Sequence, residues 1–306
     1  MTLLSARDAH APQATLLQEH PASGLARDID LVTGTWSAAL AVDPGDPYFF
    51  DHPLDHLPGM ALVSGLLDLL RATGAGLPER AGSRMALRLA LPSFCELDAP
   101  VHLEATRLPP DASGSPGTRK VVVRARQRDR AVCEGEAAFA PSAPVPAGTA
   151  AGADHPDQRD GTLVHRHRAE NVLVSGMIPD GPTRTVRVRR PEEGHPLAAG
   201  PGEPARAEVL IDAARQFGTM ICHVEHSVPD DVRLVLLSIE ADLPGGVLGD
   251  LYLRWTWRPP VRGRSRMEID VVAGDPAAEA CGGVGLDYYA ASPAVYRRLR
   301  GAGGPA

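Results

Sequence analysis

Lysine is almost missing from this chain. Lys120 stands alone among 306 residues, and arginine carries the rest of the 31 positive charges. Against 38 acidic residues they leave a net charge of −7, which argues against a surface that coats nucleic acid. The abundance of Ala, Gly, Pro and Arg reflects a GC-rich genome rather than a function. Cysteine is sparse and scattered. Cys95, Cys133, Cys222 and Cys281 form no CxxC pair, which excludes a zinc knuckle or dithiol motif and leaves buried free thiols as the expectation. No stretch approaches the ~18 apolar residues of a membrane span, and the N-terminus lacks a basic start followed by an apolar run. The reading is a cytoplasmic protein off the membrane. HExxH, GxxxxGK[ST] and a strand-linked GxGxxG are all missing, so no metal and no cofactor are expected.

What is present is a globular composition, 43% apolar and 23% charged, on a chain long enough for two domains. Residues 141–160 are rich in Pro, Ala, Gly and Asp without apolar periodicity, which marks a linker between halves at 25–140 and 161–306. Residues 1–24 read as an irregular arm. The first half offers a strand at 36–43, apolar residues at helical spacing over 57–73, and strands at 84–94, 101–108, 119–127 and 130–139. The second half repeats that order, with a strand at 185–189, a helix at 208–223, and strands at 232–243, 250–257, 266–273 and about 279–289. Leu62, Leu66, Leu69 and Leu70 in one helix, and Val209, Leu210, Ile211 and Phe217 in the other, leave little polar face. Helices enclosed by a sheet look like this. The fold class is α+β, two antiparallel sheets each wrapped around a long central helix.

The most informative stretch is PYFFDHPLDHLPGM, residues 47–60, directly ahead of the first buried helix. Pro58 and Gly59 sit where the helix begins, and exposed amides at that N-terminus can polarise a thioester carbonyl. His52 and His56 can give or take a proton near neutral pH. The alternative is that Asp51, His52, Asp55 and His56 merely cap and solvate a loop.

The succession of Phe49, Phe50, His52, Pro58 and Gly59 resembles the active-site loop of hotdog dehydratases. A fuller pattern resembles the A-factor (γ-butyrolactone) biosynthesis hotdog family, whose members are double hotdogs. Asp55, His56, Pro58, Gly59 and Met60 match its DHxPGM half. Val164-His165-Arg166, Glu170-Asn171-Val172, Ser175, His195-Pro196, Asp212-Ala213, Arg215-Gln216, His223 and Val228-Pro229 match its VHR half in order, and Tyr296 to Arg300 matches that half's tail. Two departures stand out. In the family the VHR half comes first, whereas here the order is reversed. Where the family carries Glu after the PGM motif, this chain has Ser64, while the other helix keeps an acid as Asp212.

If the halves pair as hotdog protomers do, His52 faces Asp212 in one intact site and His195 faces Ser64 in a degenerate one. Asp212, surrounded by apolar helix neighbours, is expected to have a raised pKa suited to proton transfer. Phe49, Phe50, His56, Gly59, Met60, Arg215 and Gln216 are the expected substrate contacts. Arg215 meets either an anionic substrate group or an internal partner among Glu208, Asp212 and Glu225. His165 and His223 read as structural. The resemblance implies an acyl-thioester enzyme, most like synthases that join a β-ketoacyl chain to a phosphorylated three-carbon alcohol. Its alternatives are a dehydratase, isomerase or cyclase and a non-catalytic acyl-binding protein. The implied partners are an acyl-carrier-protein or coenzyme A thioester, with homodimerisation allowed.

Overall fold

Side-chain alternation sets the sheet of this protein, whose computed structural model describes residues 25–32, 34–74, 76, 79–110, 116–146, 161–200, 202–259 and 264–301. The first half runs β1 (Ala26–Val32), β2 (Thr35–Leu40), α1 (Gly59–Ala72), β3 (Ser83–Ala90), β4 (His102–Arg107), β5 (Arg119–Gln127) and β6 (Arg130–Pro141). The second repeats the order as β7 (Ile178–Asp180), β8 (Thr183–Arg187), α2 (Ala207–Val224), β9 (Arg233–Pro244), β10 (Leu251–Thr256), β11 (Arg264–Ala273) and β12 (Gly282–Ala291). A last helix, α3 (Pro293–Gly301), follows. The expected arm at 1–24 and most of the expected linker lie outside the described residues.

The strands form one sheet rather than two, in the order β1-β2-β4-β5-β6-β3-β9-β12-β11-β10-β8-β7. The second half mirrors the first about the antiparallel β3–β9 seam. There Met85, Leu87 and Leu89 lie opposite Leu243, Ala241 and Ile239, all buried, so each half covers the other's apolar edge. Arg84 ties the outer face of the seam to Asp242 at 2.5 and 2.9 Å. Three elements were invisible in the sequence because they bury almost nothing. β1 is exposed along nearly its whole length, β7 has three residues, and α3 has no buried residue.

α1 packs on β1, β2, β4 and β5, α2 packs on β9 and β12, and the two helices touch. Arg71 at the end of α1 grips the fully buried Glu208 at the start of α2 at 2.7 and 2.8 Å, and also pairs with Asp68 and Glu79. Burial opposes the Glu208 charge, but the Arg71 guanidinium prevails and holds the carboxyl below its usual range. Glu208→Gln is expected to lower stability by about 1–3 kcal/mol in urea unfolding, since Arg71 keeps two other carboxylates. Cys95, Cys133 and Cys222 are buried free thiols, pushed up to about 12 by burial.

Candidate functional site

The loop ahead of α1 is turned inward by Asp46, whose Oδ1 accepts the amides of Tyr48 and Phe49 at 2.8 and 2.9 Å. Tyr48 is thereby fully buried. A second tight turn faces it from the other half. The carbonyl of Gly161 accepts the amides of Val164 and Arg166, and a Cβ on Gly161 would lie 1.9 Å from the Arg166 carbonyl oxygen, so only glycine fits. The turn leaves His165 in a left-handed backbone, φ 54°, and sends Arg166 into the core.

Arg166 joins the halves. It donates to the Tyr48 carbonyl at 2.8 Å and to Asp212 at 2.7 Å, and its guanidinium stacks 4.7 Å from the Tyr48 ring centroid. Asn171 completes the clamp by donating to the Pro47 carbonyl at 2.7 Å and to Asp51 at 3.2 Å.

Asp212 is fully buried on α2 and is saturated with donors. Arg166, Tyr48 Oη and Gln216 reach Oδ2 at 2.7, 2.8 and 2.9 Å, and Arg215 Nε reaches Oδ1 at 2.6 Å. Burial alone would raise its pKa, yet Arg215 and Arg166 outweigh burial and hold the carboxyl well below the usual carboxylate range. This corrects the expectation of a raised, proton-exchanging acid. The apolar sequence around Asp212 is real, but Arg215 one turn along α2 and Arg166 from the Gly161 turn both reach its carboxylate. It also corrects the partner, because Tyr48 rather than His52 reaches Asp212 from the first half.

His52 pairs instead with Asp51. A carboxylate only accepts, so His52 Nδ1 donates to Asp51 Oδ1 at 2.8 Å and Nε2 is the ring atom left for chemistry. Asp51 is itself held by the His167 amide at 3.2 Å and lies 3.7 Å from Arg166. Burial would raise the Asp51 pKa, but the His52 hydrogen bond and Arg166 bring it below its ordinary value.

A cavity of about 630 Å³ opens beside this cluster, within the range of small-molecule sites. Its lining comes from both halves: Leu62 and Leu91 from the first, Leu234 and Leu236 from the second, together with the polar side chains of His52 and Arg215. The first residue of α1, Gly59, also lines it, and no side chain caps that helix N-terminus. α3 closes one side, where Tyr296 donates to Asp55 at 2.8 Å and Arg300 grips Glu96 at 2.7 Å through both nitrogens. His56 lies there too, donating to Asp55 at 2.7 Å.

Of the expected contacts, Phe49, His56, Gly59, Met60 and Arg215 line the cavity. Phe50 and Gln216 do not, Gln216 being spent on Asp212, the Leu173 amide and the Asn171 carbonyl. The internal partner of Arg215 is Asp212, while Glu208 and Glu225 are taken by Arg71 and Arg184. His195 and Ser64 both lie outside the cavity lining. His195 packs edge-on against Tyr48 at 4.7 Å with Nε2 buried and unpartnered, and the Ser64 hydroxyl is likewise buried without a partner. Sequence reasoning missed Tyr48, Asp51 as the partner of His52, and Arg233 in the cavity wall. For Tyr48 a signal existed in its place within the aromatic run before His52, whereas Arg233 carried none. Among the described residues, no group of three or more His, Cys, Asp or Glu is placed to hold a metal, and no helix is long and apolar enough to cross a membrane.

Known proteins share this frame. A 2-oxo-3-(phosphooxy)propyl 3-oxoalkanoate synthase of Streptomyces virginiae is 34% identical over 93 residues, which span 30% of this chain and 30% of that enzyme. The dehydratase domain of RzxB from Pseudomonas fluorescens superposes with a TM-score of 0.59 at 15% identity, over 88% of this chain and 99% of that domain. The dehydratase domain from the CurJ module of curacin polyketide synthase gives 0.58 at 10% identity, over 90% and 98% of the two chains. These structural likenesses carry the hotdog fold. The A-factor biosynthesis hotdog domain matches twice, over residues 18–142 and again over 149–273, so that each half bears one copy. By that double match the chain belongs to the A-factor biosynthesis hotdog domain family.

Proposed function

We propose that this protein transfers a 3-oxoacyl group from an acyl-carrier-protein or coenzyme A thioester to the hydroxyl of a phosphorylated three-carbon alcohol. The observation that carries the reading is one cavity holding both an Asp51-oriented imidazole and the uncapped N-terminus of α1. His52 Nε2 takes the hydroxyl proton as the oxygen attacks the thioester carbonyl carbon. The amides at the start of α1 stabilise the oxyanion. The C–S bond then breaks, and the departing thiolate recovers the proton from the His52 imidazolium, whose charge Asp51 balances. An ester and a free thiol result. The apolar walls at Leu62, Leu91 and Leu236 suit the acyl chain.

The name of the Streptomyces virginiae relative supports this substrate pair. Dehydration, the chemistry named for the structural neighbours, needs an acid to protonate a departing hydroxide. Asp212 is held ionised and outside the cavity wall, which favours transfer. The test is mass spectrometry of the chain incubated with a 3-oxoacyl thioester and glycerone phosphate. Transfer predicts the phosphorylated ester together with released thiol. Water loss from a 3-hydroxyacyl thioester, with no ester formed, would make it a dehydratase, and no turnover of either substrate would make it an acyl-binding protein.

A further inference from the structure

We propose that the cavity contains an acceptor subsite for a phosphorylated alcohol, in which Arg215 and Arg233 hold the phosphate and His165 accepts the hydroxyl's hydrogen bond in the bound alcohol, before that proton turns to His52 Nε2 for transfer. This rests on the transfer reading, and it assigns recognition to three residues outside the His52 and Asp51 pair. All three line the same cavity.

Arg233 begins β9 and is exposed, with no carboxylate in ion-pair range among the described residues. Arg215 commits only its Nε to Asp212, which leaves the two terminal nitrogens for an anion. Two guanidiniums on one cavity, one of them lacking a carboxylate, form a site suited to the doubly charged oxygens of a phosphate ester.

His165 supplies the complementary group. His223 Nδ1 donates to the Val228 carbonyl at 2.8 Å, so with both rings neutral its Nε2 accepts from His165 Nε2, also at 2.8 Å. His165 Nδ1 is then a bare lone pair, fixed in direction by this relay. Burial first, then His223, Arg215, His52 and Arg233 push the His165 pKa down to about 4, so the ring stays an acceptor at neutral pH. The left-handed backbone at His165 is an unusual conformation retained at the cavity wall.

A phosphate ester could come from the alcohol or from the pantetheine arm of the carrier, and titration calorimetry separates them. The full chain is titrated, without thioester, with glycerone phosphate, dihydroxyacetone and 4′-phosphopantetheine. Glycerone phosphate is expected to bind, with dihydroxyacetone weaker by roughly tenfold or more. Arg233→Gln should weaken glycerone phosphate by roughly tenfold and leave dihydroxyacetone unchanged. His165→Phe should weaken both, and His165→Asn, which tolerates the left-handed backbone and places an oxygen near the Nδ1 position, should restore binding. Undiminished glycerone phosphate binding in Arg233→Gln overturns the subsite. So does 4′-phosphopantetheine binding as tightly as glycerone phosphate with the same dependence on Arg233, which would hand the site to the thioester arm. If glycerone phosphate binds through Arg233 but no thioester yields an ester, the transfer reading falls and the subsite stands. If the ester forms with an unchanged KM for glycerone phosphate in both Arg233→Gln and His165→Phe, the subsite falls and transfer stands.

Discussion

Asp212→Asn is expected to cost stability before it costs chemistry, by about 3–5 kcal/mol. The carboxylate is the meeting point of Arg166, Arg215, Tyr48 and Gln216, and two of those four donors are cations. An amide in its place turns a donor toward donors and leaves Arg166 buried with Asp51 as its nearest remaining carboxylate, at 3.7 Å. Such a loss is a large fraction of the roughly 5–15 kcal/mol that holds a protein folded. The measurement is urea unfolding, and a lower midpoint with an unchanged slope is the expected result. Wild-type stability with reduced turnover would instead return Asp212 to the role of a reacting acid.

The same cluster sets an acid limit. The folded-state pKa of Asp212 lies below its unfolded value of about 4, so its stabilisation is fully present above that pH. It is lost as pH falls below that value toward the folded-state pKa. The wild type should therefore lose stability below about pH 4 more steeply than the Asn variant does.

His52→Ala is expected to do the reverse, lowering kcat by about 10²–10⁴-fold while the unfolding midpoint stays close to wild type. Its side chain is 23% exposed and its one strong bond, to Asp51, can be replaced by water. His52→Gln removes the proton carrier with little change in bulk, so it should be as inactive as the alanine variant. Asp51→Asn should retain part of the rate, because the imidazole remains but its tautomer is no longer enforced. It should also lower stability, since Asp51 receives Asn171 and the His167 amide as well. Full turnover in His52→Ala, measured as thiol release, would exclude the imidazole from the reaction.

Much of the architecture was legible. Both central helices and ten of the strands could be read because each buries a face: β3 hides Met85, Leu87 and Leu89 in alternation, and α2 buries Val209, Ile211 and Phe217. β1, β7 and α3 bury almost nothing and left no periodic signal. The loop at 47–60 stood out through its aromatics, histidines and Pro-Gly pair, and most of its flagged residues do line the cavity.

Partnership was another matter. The neighbour of His52 in space is also its neighbour in sequence, Asp51, yet the expectation passed over it for Asp212 because the symmetry of hotdog pairs pointed there. The residue that reaches Asp212 is Tyr48, 164 positions away, accompanied by Arg166 from a turn that only Gly161 permits. The sequence alone determined where the chain buries apolar surface, because helical and strand periods are local properties. Which charges meet inside was decided by tertiary structure. The state of a buried carboxylate depends on cations a few ångströms away: Arg215 lies one turn along α2 from Asp212, but only the fold brings Arg166 to it from the Gly161 turn.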